Sequence, residues 1–419
     1  MARRRHAARR GRALMERPGS FAHRLLAARF ALRPVASRFA LRVVPSLFAL
    51  AASCRSAAPP QEPAPMPVAV PAPIARAESP RSYATLDTGA SRLTIFVATT
   101  RRAVQSERPA DRYGPDDADS LQFAAVGVNV PSYRARGTGE LPRPGGVRNA
   151  LSWRPDPQRD FYVTSVIPVD SNRFVQRIAA DLATTRSRDL LVFVHGFNSS
   201  FEDAAVRAAQ LAADLNFDGA VVLFSWPSAA SVTSYIRDEQ AARNAGFHLL
   251  RVLRGHAAAA APDRIHLLGH SMGSEVIAKA IALVAAGDSL PRLAQVVFAA
   301  PDVDARVFRR EILPRLQPRA TRITLYASDD DDALRASRSL NGVWRLGLGG
   351  DSLTVIRGMD TIDASRVHAD ALGHTLFGNQ AFLADLAVLF AEGKSPAERR
   401  LLAVRRGELV FWRFRGDPR

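Results

Sequence analysis

A chain of 419 residues with 47% hydrophobic content is long enough for one large α/β domain or two smaller ones, and its composition is ordinary for a globular protein. The formal net charge of +17 invites a nucleic-acid reading, but residues 1–53 hold 12 Arg against one Glu and supply +11 of it. The remaining +6 forms no basic stripe with interleaved aromatics, so nucleic acid is not an expected partner.

Residues 1–41 are Arg- and Ala-rich, low in complexity and without a helix period. Two readings stand for them: a disordered leader, or a stretch upstream of the true start codon. Residues 42–54 carry an apolar run of about eleven residues, too short to cross a bilayer and suited to a signal-peptide core. It ends in Leu50-Ala51-Ala52-Ser53-Cys54, which resembles the lipobox of bacterial lipoproteins, with Ala51 where that motif usually has a larger aliphatic residue. The resemblance implies lipidation of Cys54; an ordinary signal peptide is the alternative. Residues 55–80 are a Pro/Ala-rich tether that stays extended and cannot bury a core. This organisation (leader and signal segment 1–54, tether 55–80, folded domain 81–392, basic tail 393–419) predicts an exported enzyme of the bacterial envelope or periplasm, with a possible membrane tether.

Within the domain, Leu93–Ala98, Phe123–Val130 and Phe161–Pro168 read as strands separated by Gly-, Pro- and charge-rich loops, an antiparallel-leaning edge of a larger sheet. Alternation follows. Leu190–Val194 is a buried strand, Glu202–Leu215 a helix, Ala220–Phe224 a strand and Ser234–Leu253 a helix. Strands at Arg264–Leu268, Gln295–Ala300, Arg322–Ala327 and Ser352–Ile356 follow, with helices at Ser274–Val284 and Asn379–Phe390. Leu409–Trp412 predicts an edge strand in the tail. Near-continuous apolar strands alternating with helices predict an α/β class fold: a mostly parallel sheet with helices on both faces, and ligands beyond the carboxyl ends of its strands.

Gly269-His270-Ser271-Met272-Gly273 joins one of these strands to its helix. A strand that turns sharply into a helix at G-x-S-x-G is the nucleophile elbow of serine hydrolases. Small residues at both ends permit the turn, and the helix N-terminus lies where negative charge develops. The bland alternative is a turn that merely needs glycines. A serine hydroxyl needs a base to take its proton and an acid to orient that base. Two histidines follow Ser271 in the chain, His368 and His374. His374 lies just before the last helix, the usual place of the base, and is the expected one. Acid candidates follow two strands: Asp302 and Asp304 after one, Asp329, Asp330, Asp331 and Asp332 after the other. Adjacent carboxylates lack the spacing of a calcium loop, so no metal or other cofactor is expected. The oxyanion donors would be the N–H of Met272 and that of Phe197 or Asn198, in the loop His195-Gly196-Phe197-Asn198.

Phe193–Asn198, Phe224–Ser228, Gly269–Gly273, Ala300–Asp304, Leu325–Ser328 with Ala333-Leu334, Asp360–Asp363 and Gly373-His374 recur in that order, after the early Phe96–Arg101. Together they resemble a bacterial α/β-hydrolase family of unknown function, of the esterase/lipase superfamily, over roughly residues 91–390. The resemblance implies the hydrolase fold and a Ser-Asp-His triad. In the family pattern the acid stands two residues before the Ala-Leu pair, which points to Asp331; the Asp-rich run departs from the usual sequence, so Asp332 and Asp330 stay open. His195, Gly196, His270, Ser225, Trp226 and Tyr235 are pocket candidates, with Asp238 nearby.

The expected activity is hydrolysis of small-molecule or lipid carboxylic esters through an acyl-enzyme, short acyl chains before triglycerides because no long apolar lid is evident. The alternatives are acyl transfer by the same triad to an envelope sugar or lipid, and a non-catalytic binding lipoprotein on the same fold.

Overall fold

The computed structural model describes residues 84–85, 91–132, 155–285, 287–365 and 376–415. The leader, the signal-like segment with Cys54, and the tether lie outside the described residues. All described residues belong to one unit, Pro71–Arg419.

The sheet begins with β1 (Ala84–Thr85), β2 (Ser91–Ala103), β3 (Tyr113–Val130) and β4 (Tyr162–Val169), joined to each other antiparallel in sequence order. Helix α1 (Ser171–Leu182) leads to β5 (Asp189–Val194), then α2 (Phe201–Asp214), β6 (Gly219–Ser225) and α3 (Tyr235–Arg251). β7 (Arg264–His270), α4 (Gly273–Ala282), β8 (Leu293–Ala299) and β9 (Ala320–Ala327) follow. The chain continues through α5 (Asp332–Asn341), β10 (Asp360–Asp363), α6 (Gln380–Glu392), and the hairpin β11 (Leu402–Arg406) and β12 (Leu409–Arg413). The strands form one sheet in the order β11-β12-β10-β9-β8-β7-β5-β6-β2-β3-β4, with β1 also on β2. From β2 through β6, β5, β7, β8, β9 and β10 to β12 every neighbour is parallel. The expected α/β hydrolase architecture, with an antiparallel edge before a parallel centre, is the observed one.

Alternation along β5 shows how the two layers are filled. Leu190, Val192 and Val194 face a core built with Phe174 and Ile178 of α1, Ala245 and Leu249 of α3, and Val276 and Ile281 of α4. Leu191 and Phe193 face the opposite core, with Phe201 and Leu211 of α2 and Phe382 and Leu386 of α6. Each large side chain so buried contributes about 1.5–3 kcal/mol relative to exposure, which makes the central strands the least yielding part of the domain.

Two sequence expectations are corrected. Ser352–Ile356 is not a strand; a single 3-10 turn at Gly350–Ser352 runs into an extended connection, and the ladder position beside β9 is taken by Asp360–Asp363. Helices α1 and α5 were not expected. α1 carries Phe174, Ile178 and Leu182 at helical spacing behind the N-cap Asp170, whose carboxylate accepts the Arg173 N–H at 2.8 Å. α5 buries only Leu334 and Ser337. The tail strand exists as half of a hairpin that pairs through β12 with β10. Among the described residues no helix is long and apolar enough to cross a membrane.

Candidate active site

β7 is central, hydrogen-bonded between β5 and β8, and stops at His270. The chain reverses into α4 within two residues, which places Ser271 in the left-handed region at φ 51°. A side-chain-bearing residue rarely adopts that conformation unless its surroundings impose it. Here the Ser271 N–H donates to the Ala299 carbonyl at the end of β8 (3.0 Å), and the Ser271 carbonyl accepts from the N–H groups of Ser274 (3.0 Å) and Asp302 (3.1 Å). Both elbow glycines have a steric cause. A Cβ on Gly273 would overlap the carbonyl oxygens of Val194 and His195, and one on Gly269 would come within 2.7 Å of Ile277 Cδ1.

The loop after β5 closes over the turn. A Cβ on Gly196 would lie 2.8 Å from His270 Nδ1 and 2.9 Å from Ser271 Cβ, so the backbone of this loop touches the serine itself. Asn198 is also left-handed, at φ 56°, and Ser200 then caps α2 through a reciprocal pair with Asp203. Among the described residues, the N–H groups of Met272, Phe197 and Asn198 have no hydrogen-bond acceptor. Met272 is buried, and Phe197 and Asn198 are half-buried in the loop that meets the serine at Gly196. Their N–H groups are donors with capacity for a negatively charged oxygen.

Of the pocket candidates, His195, Ser225 and Trp226 are sealed inside the domain, at 2%, 0% and 0% exposure, so they back the loop and do not line an open cleft. The His195 ring stacks on Trp226 with centroids 5.1 Å apart and planes 6° from parallel. The Trp226 indole N–H donates to the His195 carbonyl at 2.8 Å. Burial first, then the nearby Arg101, hold the His195 imidazole down at about 3, so it stays neutral. In the unfolded chain it titrates near 6.5, so below that pH the unfolded state takes up a proton that the folded one refuses. Stability is therefore full above pH 6.5 and is lost as pH falls toward 3. Urea melts at stepped pH should show this slope, on the order of several kcal/mol in total, and His195→Gln should flatten it.

Tyr235 and His270 are half-buried. The Tyr235 hydroxyl donates to Asp302 Oδ2 at 2.8 Å and stands 2.8 Å from Ser337 Oγ; its ring meets Phe197 edge-on at 5.5 Å. Burial, then the Asp302 charge, push its phenol pKa well up. His270 packs edge-on against Phe377 at 5.0 Å.

The acid candidates separate by environment. Asp302 accepts from Tyr235 on one oxygen and from Ser337 Oγ (2.6 Å) on the other, and pairs with the buried Arg345 at 3.1 Å. Its carboxylate is committed to holding α3, α5 and the 345 segment together. Asp304 caps a helical turn through the Arg306 N–H (2.7 Å). Asp332 is exposed and paired with Arg335 at 2.7 Å. Asp329 and Asp330 are half-buried, and their N–H groups donate to Ser365 Oγ and Ser328 Oγ. Asp331 is fully buried beyond the carboxyl end of β9, with one oxygen accepting the Leu334 N–H at 2.9 Å as the N-cap of α5. His368 and His374 lie outside the described residues. Among the described residues no cluster of three or more His, Cys, Asp or Glu could hold a metal ion.

A second serine–histidine contact occurs at Ser171 Oγ and His256 Nε2, 2.9 Å apart. Among the described residues no carboxylate contacts that histidine, and Ser171 is an ordinary first residue of α1. It lacks the left-handed backbone found at Ser271.

The sequence reading assigned no role to Arg101. At the end of β2, its guanidinium is 1% exposed and donates to Ser225 Oγ (2.9 Å) and to the carbonyls of Gly114 (3.2 Å), Ser228 (3.0 Å) and Ser199 (2.7 Å). Ser228 Oγ accepts the Ser199 N–H at 3.2 Å and donates to Asp238 at 2.7 Å.

A family model described as "Alpha/beta hydrolase of unknown function (DUF900)" matches residues 170–390, more than half of the chain, and the chain belongs to that family. No curated protein sequence matches the chain. Among solved structures, MenH from S. aureus is similar at 12% identity and TM-score 0.29, over 51% of this chain and 96% of that one. A thermophilic esterase from Thermogutta terrifontis is similar at 12% identity and TM-score 0.29, over 51% of this chain and 84% of that one.

Proposed function

We propose that this member of the α/β-hydrolase family is a serine hydrolase of carboxylic esters. The observation that carries the reading is Ser271 at φ 51° with the unpaired N–H groups of Met272, Phe197 and Asn198 around it. Ser271 Oγ attacks the ester carbonyl while His374 takes its proton, and the carbonyl oxygen, now negative, receives the Met272 N–H with that of Phe197 or Asn198. Collapse breaks the bond to the alcohol, which leaves with the proton from His374. Water then attacks the acyl-enzyme, gives its proton to His374, and releases the acid and free Ser271. Asp331 orients the imidazole; its burial beyond the carboxyl end of β9 and Asp302's full set of partners favour it over the other carboxylates.

Val232 and Ile236, which flank Tyr235 in the chain, are 71% and 65% exposed, apolar side chains suited to the acyl or alcohol part of a small or lipid ester. The Leu50–Cys54 sequence supports placing the enzyme at the bacterial envelope, tethered through a lipidated cysteine.

The test is a fluorophosphonate probe on the full chain, with peptide mass mapping and a panel of short-chain esters. Stoichiometric labelling at Ser271 with ester turnover is expected; a folded protein that neither labels nor turns over overturns the reading. The acid is tested by Asp331→Asn beside Asp332→Asn. Asparagine caps a helix as well as aspartate does, so α5 should persist in the first variant. Its kcat should nevertheless fall by about 10³–10⁴, while Asp332→Asn stays within about threefold.

A further inference from the structure

We infer that Arg101 is a positioning residue of the oxyanion site, one whose buried fork fixes the loop that presents the Phe197 and Asn198 N–H groups. The inference rests on the serine-hydrolase reading above and names the part that makes its oxyanion site rigid.

Four hydrogen bonds leave this one guanidinium, one of them from Nη1 to the Gly114 carbonyl on β3. Nη2 donates to the Ser199 carbonyl, the last residue of the loop before the cap of α2. Nη1 donates to the Ser228 carbonyl, and Nε to Ser225 Oγ, both beyond or at the end of β6. Ser228 returns the bond, because its Oγ accepts the Ser199 N–H. Ser199 is thus held at both its N–H and its carbonyl, and its own Oγ reaches the Phe197 carbonyl at 3.4 Å. Between the held residues stands Asn198 at φ 56°, a conformation that a free loop would relax. Arg101 itself is fixed by its strand: its N–H is taken by Thr99 Oγ1 at 3.0 Å, and Thr99 Oγ1 donates to the Ser225 carbonyl at 2.8 Å.

The choice of side chain follows from this geometry. Only a planar guanidinium offers donors that diverge toward four separate acceptors; an ammonium is a single point with a shorter reach. None of the acceptors is a carboxylate; Asp238, the nearest acid in the network, is reached through Ser228. The guanidinium thus makes no direct ion pair, and the nearby Asp238 and Asp203 offset its charge only through space. Burial brings its pKa down to about 9, so it remains protonated at neutral pH. A buried cation behind preset amide donors favours the negative oxygen of the tetrahedral intermediate over the neutral ester, which is a preference for the transition state and not for the substrate.

The test uses the full chain, wild type beside Arg101→Gln, with p-nitrophenyl butyrate as substrate and phenylboronic acid as an analogue whose adduct carries the negative charge. Folding is checked by circular dichroism and thermal melting. The expected result for a folded R101Q is a kcat lower by about 10²-fold, a boronate Ki raised by a similar factor, and KM within about threefold. A merely structural role would not separate Ki and kcat from KM in this way. If R101Q does not fold, Arg101→Lys decides, since it keeps the charge and most of the volume but cannot span the four acceptors. Its expected loss is about tenfold in kcat and in boronate affinity at unchanged KM. A folded R101Q, or R101K in its place, with wild-type kcat and Ki overturns the inference alone. A wild type that takes up no fluorophosphonate and turns over no ester overturns the hydrolase reading and this inference together.

Discussion

Ser271→Ala is expected to leave a folded protein with no fluorophosphonate labelling and a kcat lower by about 10⁴–10⁶. The residual rate would come from amide donors that still bind the carbonyl oxygen. Folding should survive because the forces on this residue are main-chain ones: Ala299 O, and the N–H groups of Ser274 and Asp302, hold its peptide groups whatever the side chain. Ser271→Gly makes the companion case. It removes the same hydroxyl and also relieves the left-handed strain at φ 51°, so it should raise the melting point, by about 1 kcal/mol of stability. A protein that is more stable and inactive after that change would show that the turn is held against its own preference for the sake of the serine. Unchanged ester turnover in either variant would remove Ser271 from the chemistry.

The largest effect on folding is expected at Gly273. An alanine there puts a methyl group into the carbonyl oxygens of Val194 and His195, which are main-chain atoms of a central strand and its exit. Those atoms cannot rotate away, so β5 and β7 must separate or α4 must shift. A loss of at least about 3 kcal/mol, or recovery only in insoluble form, is the expected outcome. Gly255→Ala is the control, since nothing lies within 4 Å of its would-be Cβ and its backbone is helical. It should gain about 0.5–1 kcal/mol. Equal urea midpoints for the two variants would contradict the steric account of the elbow.

The parallel centre of the fold was legible because buried strands of this class are almost uninterrupted apolar runs, as Leu190–Val194 and Ala220–Phe224 show. The elbow was legible because its constraint is local: two glycines, a serine, a strand before and a helix after. β10 was not, since Asp-Thr-Ile-Asp reads as a loop by composition. Its two end carboxylates have charge partners distant in sequence, Arg322 on Asp360 at 2.6 Å and Arg413 on Asp363 at 2.9 Å, and Asp363 also accepts from Ser365. Leu353–Ile356 misled in the opposite sense, since its apolar residues pack without a ladder and the Thr354 carbonyl is taken by Thr361 Oγ1 at 2.9 Å. Helix α1 had its signal in plain view, an Asp cap followed by apolar residues at four-residue spacing. Arg101 was hidden by number: in a chain this rich in arginine, composition does not single out the one that is buried.

The hairpin β11–β12 has a further consequence for how the chain is made. β10 owes one of its two hydrogen-bonded neighbours to β12, which is not translated until about fifty residues later. A nascent chain that has already laid β9 against β10 therefore carries an open flank of unpaired amides until Leu409–Arg413 leave the ribosome. The order of synthesis and the order of closure are thus opposed at this border of the sheet.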